Sequence, residues 1–202
     1  MTNVLEVFSK RRQTKDFKSK FPEQKIIKQI IQKTFDLVPS KQNLVPYKVT
    51  VLGPDNPIEK DILENLTSAA IIDSRKVFHN APYIIFFSTR LSKPNDLVQY
   101  LMSKGHSYPK CDVDRYKETK TLLDVNIEIG MFATIFTAFC NEKNIDVGYC
   151  SCYVKNSDDI GNYLFLDNGD KILFILYVGY NNNTRKNTSE QKPNINEVVF
   201  WK

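Results

Sequence analysis

Apolar residues recur at steps of three and four along three stretches of the chain, the spacing that places side chains on one face of an α-helix. The first stretch is Val4 to Ser9, and the second follows Pro22 and ends before Pro39. The longest, from Glu118 to Asn141, is apolar on nearly every side. A helix with so little polar face is buried on several sides, either in a domain core or at a subunit interface.

Other stretches have the patterns of β-strands. Tyr47 to Val51 alternates apolar and polar residues, which predicts a half-buried strand. The continuous apolar runs Tyr83–Phe87 and Ile172–Tyr180 instead predict central strands that are covered on both faces. Residues 144–153 predict a turn that becomes a strand, and residues 57–79 and 158–166 predict further helices.

Composition and charge narrow the class of protein. A chain of 202 residues with 42% hydrophobic and 12% aromatic residues has enough apolar mass for one substantial core, so we expect a single domain over residues 1–202. The net charge of +5 suits an anionic cofactor, a nucleotide or nucleic acid. The chain does not interleave aromatic and basic residues in the way that single-strand binders do, so we expect no nucleic-acid partner.

The location and redox state of the protein are also constrained by its sequence. The N-terminal residues lack the apolar core of a signal peptide, and no stretch reaches the roughly 18 uninterrupted apolar residues of a membrane span. We therefore expect a cytoplasmic protein that is not bound to a membrane. We also expect its four cysteines to be reduced and to bind no metal, since Cys150 and Cys152 lack the spacing of a zinc site.

A basic cluster follows the first predicted helix. Residues 10–15 contain four cations, Lys10, Arg11, Arg12 and Lys15, beside Gln13 and Thr14. Arginine and lysine bind phosphate oxygens through charge-assisted hydrogen bonds, so the cluster suits a phosphate group. The alternative is a solvated basic helix end, in which the cations complement the helix dipole.

A second candidate lies between the predicted helix that ends before Pro39 and the strand that begins at Tyr47. Pro39 and Pro46 bracket short polar residues, and proline fixes φ and removes a backbone donor. The backbone N–H groups of Ser40 to Asn43 are therefore predicted to point outward, towards an acceptor on a ligand. The alternative is an ordinary connection between a helix and a strand.

Taken together and in this order, Arg11-Arg12-Gln13-Thr14-Lys15 and the segment from Pro39 to Tyr47 resemble the nitroreductase family of flavin enzymes. The resemblance implies an α+β fold with a mostly antiparallel central sheet flanked by helices, a long buried central helix and a C-terminal strand extension. It also implies FMN as the cofactor. Members of this family are homodimers whose long central helices pack together, with each active site at the interface.

The resemblance assigns cofactor-binding roles to particular residues. The segment from Arg11 to Lys15 corresponds to the family's phosphate and ribityl site, and the segment from Pro39 to Asn43 lies along the flavin ring. Ser151 and Cys152 approach the reactive edge of the ring. Lys192 reaches the phosphate, with Arg185 and Lys186 as competitors for that role. The full set is Arg11, Arg12, Gln13, Lys15, Pro39, Ser40, Lys41, Asn43, Ser151, Cys152 and Lys192.

The function implied is an oxidoreductase that transfers hydride from NADH or NADPH through FMN to a small acceptor such as a nitroaromatic or a quinone, by ping-pong kinetics. The chemistry takes place on the flavin, so no catalytic side chain and no metal is expected. The alternatives are a flavin-binding protein without turnover and a basic nucleic-acid-binding domain. The sequence departs from the family pattern at Gln13, Lys15, Tyr47 and Cys152, which leaves room for altered activity.

Overall fold

The structure, a computed structural model, describes residues 4–55, 80–112, 114–115, 118–151, 164, 166, 170–182 and 195–199. The helices of this part are α1 (Val4–Ser9), α2 (Gln24–Leu37), α3 (Asp96–Ser103) and α4 (Thr119–Glu142), and the strands are β1 (Tyr47–Leu52), β2 (Tyr83–Thr89), β3 (Asp146–Cys150) and β4 (Ile172–Gly179). The helix predicted over residues 57–79 lies outside the described residues, as does nearly all of the one predicted over 158–166.

The described strands form one antiparallel sheet in the order β1-β2-β4-β3. The two continuous apolar runs supply the central strands β2 and β4, and the half-polar segments supply β1 and β3. At a strand spacing of about 4.8 Å, β1 and β3 lie about 14 Å apart across the sheet. The α+β prediction, with an antiparallel sheet flanked by helices, is confirmed.

Strand β2 is covered on both of its faces. All seven of its residues are buried. Ile85 and Phe87 contribute to the larger core, which includes residues of α2 and α4. Ile84 and Phe86 pack in a second cluster with Phe17 on the opposite face. This double coverage explains why the run has no polar alternation.

Helix α4 packs one face on the sheet. Its buried residues recur at helical spacing: Val125, Ile129, Phe132, Phe136 and Cys140. The Phe132 ring lies 5.3 Å from that of Phe87 and 6.1 Å from that of Tyr47. By length and composition α4 could also cross a membrane, but the core helix of a soluble protein passes the same test.

The other face of α4 is apolar and exposed. Leu123 and Ile127 are 58% and 63% exposed, and Gly130 and Thr134 continue the same stripe at helical spacing. The sequence predicted burial on several sides or a subunit interface. Within the described part of one chain, the sheet and helices α1 and α2 pack against α4, whereas this stripe stays exposed.

The structure describes part of the C-terminal segment, where the resemblance implies a strand extension. Ile195–Glu197 form a short 3-10 turn, and Ile195 and Val198 are both more than 60% exposed. Asn194 and Asn196 interrupt the apolar pattern there, and asparagine is depleted in strands. Residues 195–199 therefore form no strand, and residues 183–194 and 200–202 lie outside the described residues.

Candidate functional site

The basic segment lies along the edge of β3, where the Gln13 side chain acts as a strand partner. Gln13 Nε2 donates to the Tyr149 carbonyl at 2.7 Å, and the Tyr149 N–H donates to Gln13 Oε1 at 3.1 Å. The next residue continues the pairing, since the Thr14 N–H donates to the Val147 carbonyl at 3.3 Å. Both ends of the Gln13 amide are therefore engaged by backbone. The sequence assigned this amide to the cofactor, whereas the structure uses it to position the segment.

Tyr149 joins this segment to α4. Its hydroxyl donates to the Ala133 carbonyl at 3.1 Å and also lies in hydrogen-bond contact with Thr137 Oγ1. Burial raises the pKa of Tyr149, while the Thr137 hydroxyl and the Arg11 guanidinium act in the opposite direction. Arg11 thus lies close enough to the Tyr149 hydroxyl to favour its ionised form.

Exposed groups surround this anchored segment. Arg11 and Lys15 are exposed, and so is Ser151, which directly follows β3. Ser151 lies two residues after Tyr149, the residue that Gln13 holds. The structure therefore brings the basic segment and Ser151 to the same edge of the sheet.

Arg12 lies in a different environment from its neighbours. It lines a surface cavity of about 330 Å³ together with Lys18, Lys20, Asn144, Asp146, Tyr180 and Asn181. Asp146 is the first residue of β3 and Ser151 follows the last, so the cavity and Ser151 are about 17 Å apart at 3.4 Å per residue. Burial raises the pKa of Asp146, and the Asn181 N–H, Arg12 and Lys18 oppose that shift. The predicted cationic cluster is thus divided between two places.

The loop from Pro39 to Pro46 has a strained backbone. The φ angles of Gln42, Asn43 and Val45 are 52°, 55° and 45°. Such angles cost about 1–3 kcal/mol at each residue and persist only where the surroundings impose them, and they are least favourable for a β-branched residue such as valine. Strain of this kind clusters at ligand sites and switch segments.

Internal hydrogen bonds maintain the loop. Ser40 Oγ accepts from the Val45 N–H at 2.9 Å, and the Ser40 carbonyl accepts from the Asn43 N–H at 3.0 Å. The Lys41 N–H points inward, to Glu128 Oε1 at 3.4 Å. The prediction that these N–H groups point outward is therefore wrong for Lys41 and Asn43, because the strained backbone needs them for its own support.

A buried ion pair lies beneath the loop. Lys110 Nζ is 2.6 Å from Glu128 Oε1, and the two side chains are only 8% and 6% exposed. The other oxygen of this carboxylate, Glu128 Oε2, has no hydrogen-bond partner among the described residues, and the same holds for the Tyr47 hydroxyl. Burial raises the pKa of Tyr47 to about 12, and the Glu128 charge contributes.

Sequence reasoning missed this pair. Lys110 lies in the irregular interval 91–116, which carries no periodic pattern. The only signal was Glu128 itself, a carboxylate between Ile127 and Ile129 in a largely apolar helix.

Two side chains near the start of this interval, those of Arg90 and Asn95, contact the loop from outside. Arg90 Nη1 donates to the Val45 carbonyl at 3.0 Å, and Asn95 Nδ2 donates to the Gln42 carbonyl at 2.7 Å. Pro39, Lys41 and Asn43 are exposed at the loop surface, and Ser40 is half-buried. The loop is thus fixed in shape while its outer surface stays accessible.

The structure places the two candidate segments at opposite edges of the sheet. The basic segment pairs with β3, and the loop leads directly into β1, about 14 Å away. The two segments nevertheless lie at the same end of the sheet. The strand pairing places Tyr47, where β1 begins, and Cys150, where β3 ends, at that end. The remaining predicted site residues, Cys152 and Lys192, and the competitors Arg185 and Lys186 lie outside the described residues.

Comparison with solved structures identifies the fold. A nitroreductase family protein from Streptococcus pneumoniae superimposes with a TM-score of 0.75 at 19% identity, covering 99% of this chain and 100% of that one. An FMN-dependent nitroreductase from Clostridium difficile gives 0.62 at 18% identity, covering 98% of each chain. A structure from Desulfovibrio desulfuricans in complex with FMN gives 0.67 at 14% identity, covering 100% and 98%. The chain therefore has the nitroreductase fold.

Sequence comparisons add nothing to this result. No protein-family profile matches the chain. No curated protein is significantly similar to it in sequence.

The buried pair predicts a specific loss of stability. Replacing Lys110 by Met leaves the Glu128 charge buried and unpaired, so we expect the free energy of unfolding in urea at pH 7 to fall by about 3–5 kcal/mol. The matched control is Arg115→Met, which breaks the Arg115–Glu118 pair, whose side chains are nearly half exposed. That change should cost less than about 1 kcal/mol. Equal losses in the two variants would contradict the role given to the buried pair.

Proposed function

We propose that this protein is an FMN-dependent oxidoreductase that takes reducing equivalents from NADH or NADPH and passes them to a small organic acceptor of the nitroaromatic or quinone type. The observation that carries the proposal is the anchoring of the cationic segment by the Gln13 amide on β3, beside the exposed Ser151. We expect the enzyme to act in the cytoplasm, where these nicotinamide cofactors are supplied.

The residues present fit FMN. Arg11 and Lys15 supply exposed positive charge on a fixed backbone, which suits the phosphate group. At the loop, Gln42 Oε1 and the Tyr47 hydroxyl are buried polar atoms without a partner in the described part of the chain. Two solved structures with this fold are described as FMN-dependent or as complexes with FMN. FMN supplies the redox chemistry, and the protein supplies binding and orientation.

The chain's own residues would share that work. Arg11 and Lys15 would hold the phosphate and ribityl chain, with Arg12 and Lys192 as the other cations proposed for that role. The loop residues Pro39, Ser40, Lys41 and Asn43 would line the ring, and Ser151 and Cys152 would approach its reactive edge. Gln13 would act indirectly, by setting the position of Arg11 and Lys15.

We further propose a homodimer. One chain holds its cationic segment and its loop at opposite edges of the sheet, and a second copy could bring the cationic segment of one chain beside the loop of the other. The exposed stripe of Leu123, Ile127, Gly130 and Thr134 on α4 supports the same arrangement. A second copy of α4 could cover it closely, because nothing lies within 4 Å of a Cβ placed on Gly130.

FMN binding provides the first test. We expect the purified protein to be yellow, to bind FMN more tightly than riboflavin, and to bleach when NADH or NADPH is added. Arg11→Ala should weaken FMN binding by about 1.5–3 kcal/mol, the range for a hydrogen bond to a charged group, as measured by quenching of flavin fluorescence. Lys33→Ala, at an exposed position on α2, is the control.

Three outcomes would contradict the assignment. Equal FMN affinity of the Arg11→Ala variant and the parent would show that Arg11 does not bind FMN. Equal affinity of the parent for FMN and riboflavin would show that the protein has no binding site for the FMN phosphate. Stable colour that no nicotinamide bleaches would favour a flavin carrier over an enzyme.

The dimer is tested by mass. Light scattering should give twice the chain mass of 23.4 kDa. Ile127→Glu should shift the protein towards the single-chain mass, because it places a charge in the proposed interface. Leu97→Glu makes the same change at a comparably exposed position on α3 and should leave the mass unchanged. A stable parent monomer that binds FMN would contradict the dimer.

The order in which the nicotinamide and the acceptor bind provides the last test of the function. The sequence has no Gly-x-Gly-x-x-Gly segment for a separate dinucleotide fold, so nicotinamide and acceptor are expected to use one binding surface in turn. Double-reciprocal plots against acceptor should therefore stay parallel as the nicotinamide concentration is varied. Intersecting lines would mean that nicotinamide and acceptor bind at the same time, which would contradict the proposal of one shared binding surface.

A further inference from the structure

Asn95 connects two elements through the two ends of its amide. Its Nδ2 donates to the Gln42 carbonyl at 2.7 Å, in the strained part of the loop. Its Oδ1 accepts from the Val98 N–H at 3.0 Å, which caps the N-terminus of α3. The first contact needs a donor and the second an acceptor, so the hydrogen bonds themselves fix which end of the amide points where.

The hydrogen bond from Asn95 to the Gln42 carbonyl restrains a strained part of the loop. The Gln42 carbonyl belongs to a residue with a φ angle of 52°, and Asn43, with φ of 55°, follows it. These left-handed residues need an external restraint to keep their conformation. Asn95 supplies one restraint from outside, while Glu128 holds the Lys41 N–H from beneath. Arg90 restrains the far end of the loop at the Val45 carbonyl.

We propose that Asn95 is a positioning residue, which holds the loop from Pro39 to Pro46 in the shape that binds the flavin and couples it to α3. The proposal rests on the proposed function, because it takes this loop to line FMN. The proposal goes beyond that function because it gives the interval 91–116 a role in positioning the loop. A displacement of α3 would be passed to the loop through the Asn95 side chain.

Two substitutions separate the loop contact from the helix cap. Aspartate and serine both cap helices well, so Asn95→Asp and Asn95→Ser keep an acceptor for the Val98 N–H. Aspartate has no donor for the Gln42 carbonyl, and the serine hydroxyl, one bond closer to the backbone than Nδ2, is too short to replace that hydrogen bond while it caps the helix. The aspartate also places a carboxylate against that carbonyl, whereas the serine adds no charge. We therefore expect unfolding in urea to stay close to that of the parent.

Gln99→Glu is the matched control. Gln99 also lies on α3 and is exposed, and its amide donates to the Pro94 carbonyl at 3.1 Å, not to the loop. The substitution makes the same exchange of amide for carboxylate on the same helix. Any effect of added charge alone will therefore appear in this variant too.

Two readouts test the proposal. The N–H groups of Asn43, Leu44 and Val45 are protected by hydrogen bonds inside the loop, so their hydrogen exchange reports its integrity without any flavin. Loss of one hydrogen bond should speed this exchange about fivefold in both Asn95 variants. FMN affinity should fall by about three- to tenfold, with a changed visible circular dichroism of the bound flavin. Gln99→Glu should match the parent in every measurement.

Each contrary outcome has a distinct meaning. Exchange rates in both Asn95 variants that match the parent would show that Asn95 does not hold the loop. Faster exchange with unchanged FMN affinity would show that the loop's shape does not matter to the flavin. Both results overturn the proposal. Failure of the parent itself to bind FMN would instead overturn the proposed function, while the exchange rates would still decide whether Asn95 holds the loop.

Discussion

The packing of Phe132 against Phe87 and Tyr47 fixes how α4 crosses the sheet, and both candidate segments depend on it. Glu128 supports the loop before β1, and Thr137 contacts Tyr149 on β3. Nine residues of helix span about 13.5 Å, which matches the distance of about 14 Å between these strands. One helix thus supports both edges of the sheet and leaves its opposite face apolar and exposed.

The two candidate segments are held by different means. The basic segment is regular, because the Gln13 amide satisfies the N–H and carbonyl groups of Tyr149 that an edge strand would otherwise leave open. The loop is strained, and its restraints come from distant parts of the chain: Glu128, Arg90 and Asn95. A loop that is restrained from several sides can keep an unfavourable backbone while it presents exposed residues to a ligand.

Much of the fold followed from local pattern. The buried strands β2 and β4 could be identified because burial on both faces removes all polar residues from a run. Helix α2 could be identified because one-sided burial produces a period near 3.6. The same spacing identified α1, although none of its residues is buried, and α4, although it is apolar on more than one side. The local pattern gave no order for the strands, because it does not encode which strands pair.

The sequence by itself determined which segments carry cations and which carry prolines and short polar residues, because these properties belong to single residues. Only the tertiary structure decided what those residues do. It engaged Gln13 with Tyr149, turned Arg12 towards Asp146, and drew the Lys41 N–H inward to Glu128. A hydrogen bond between residues 87 or 136 positions apart depends on the crossing of helix and sheet, which no local spacing encodes.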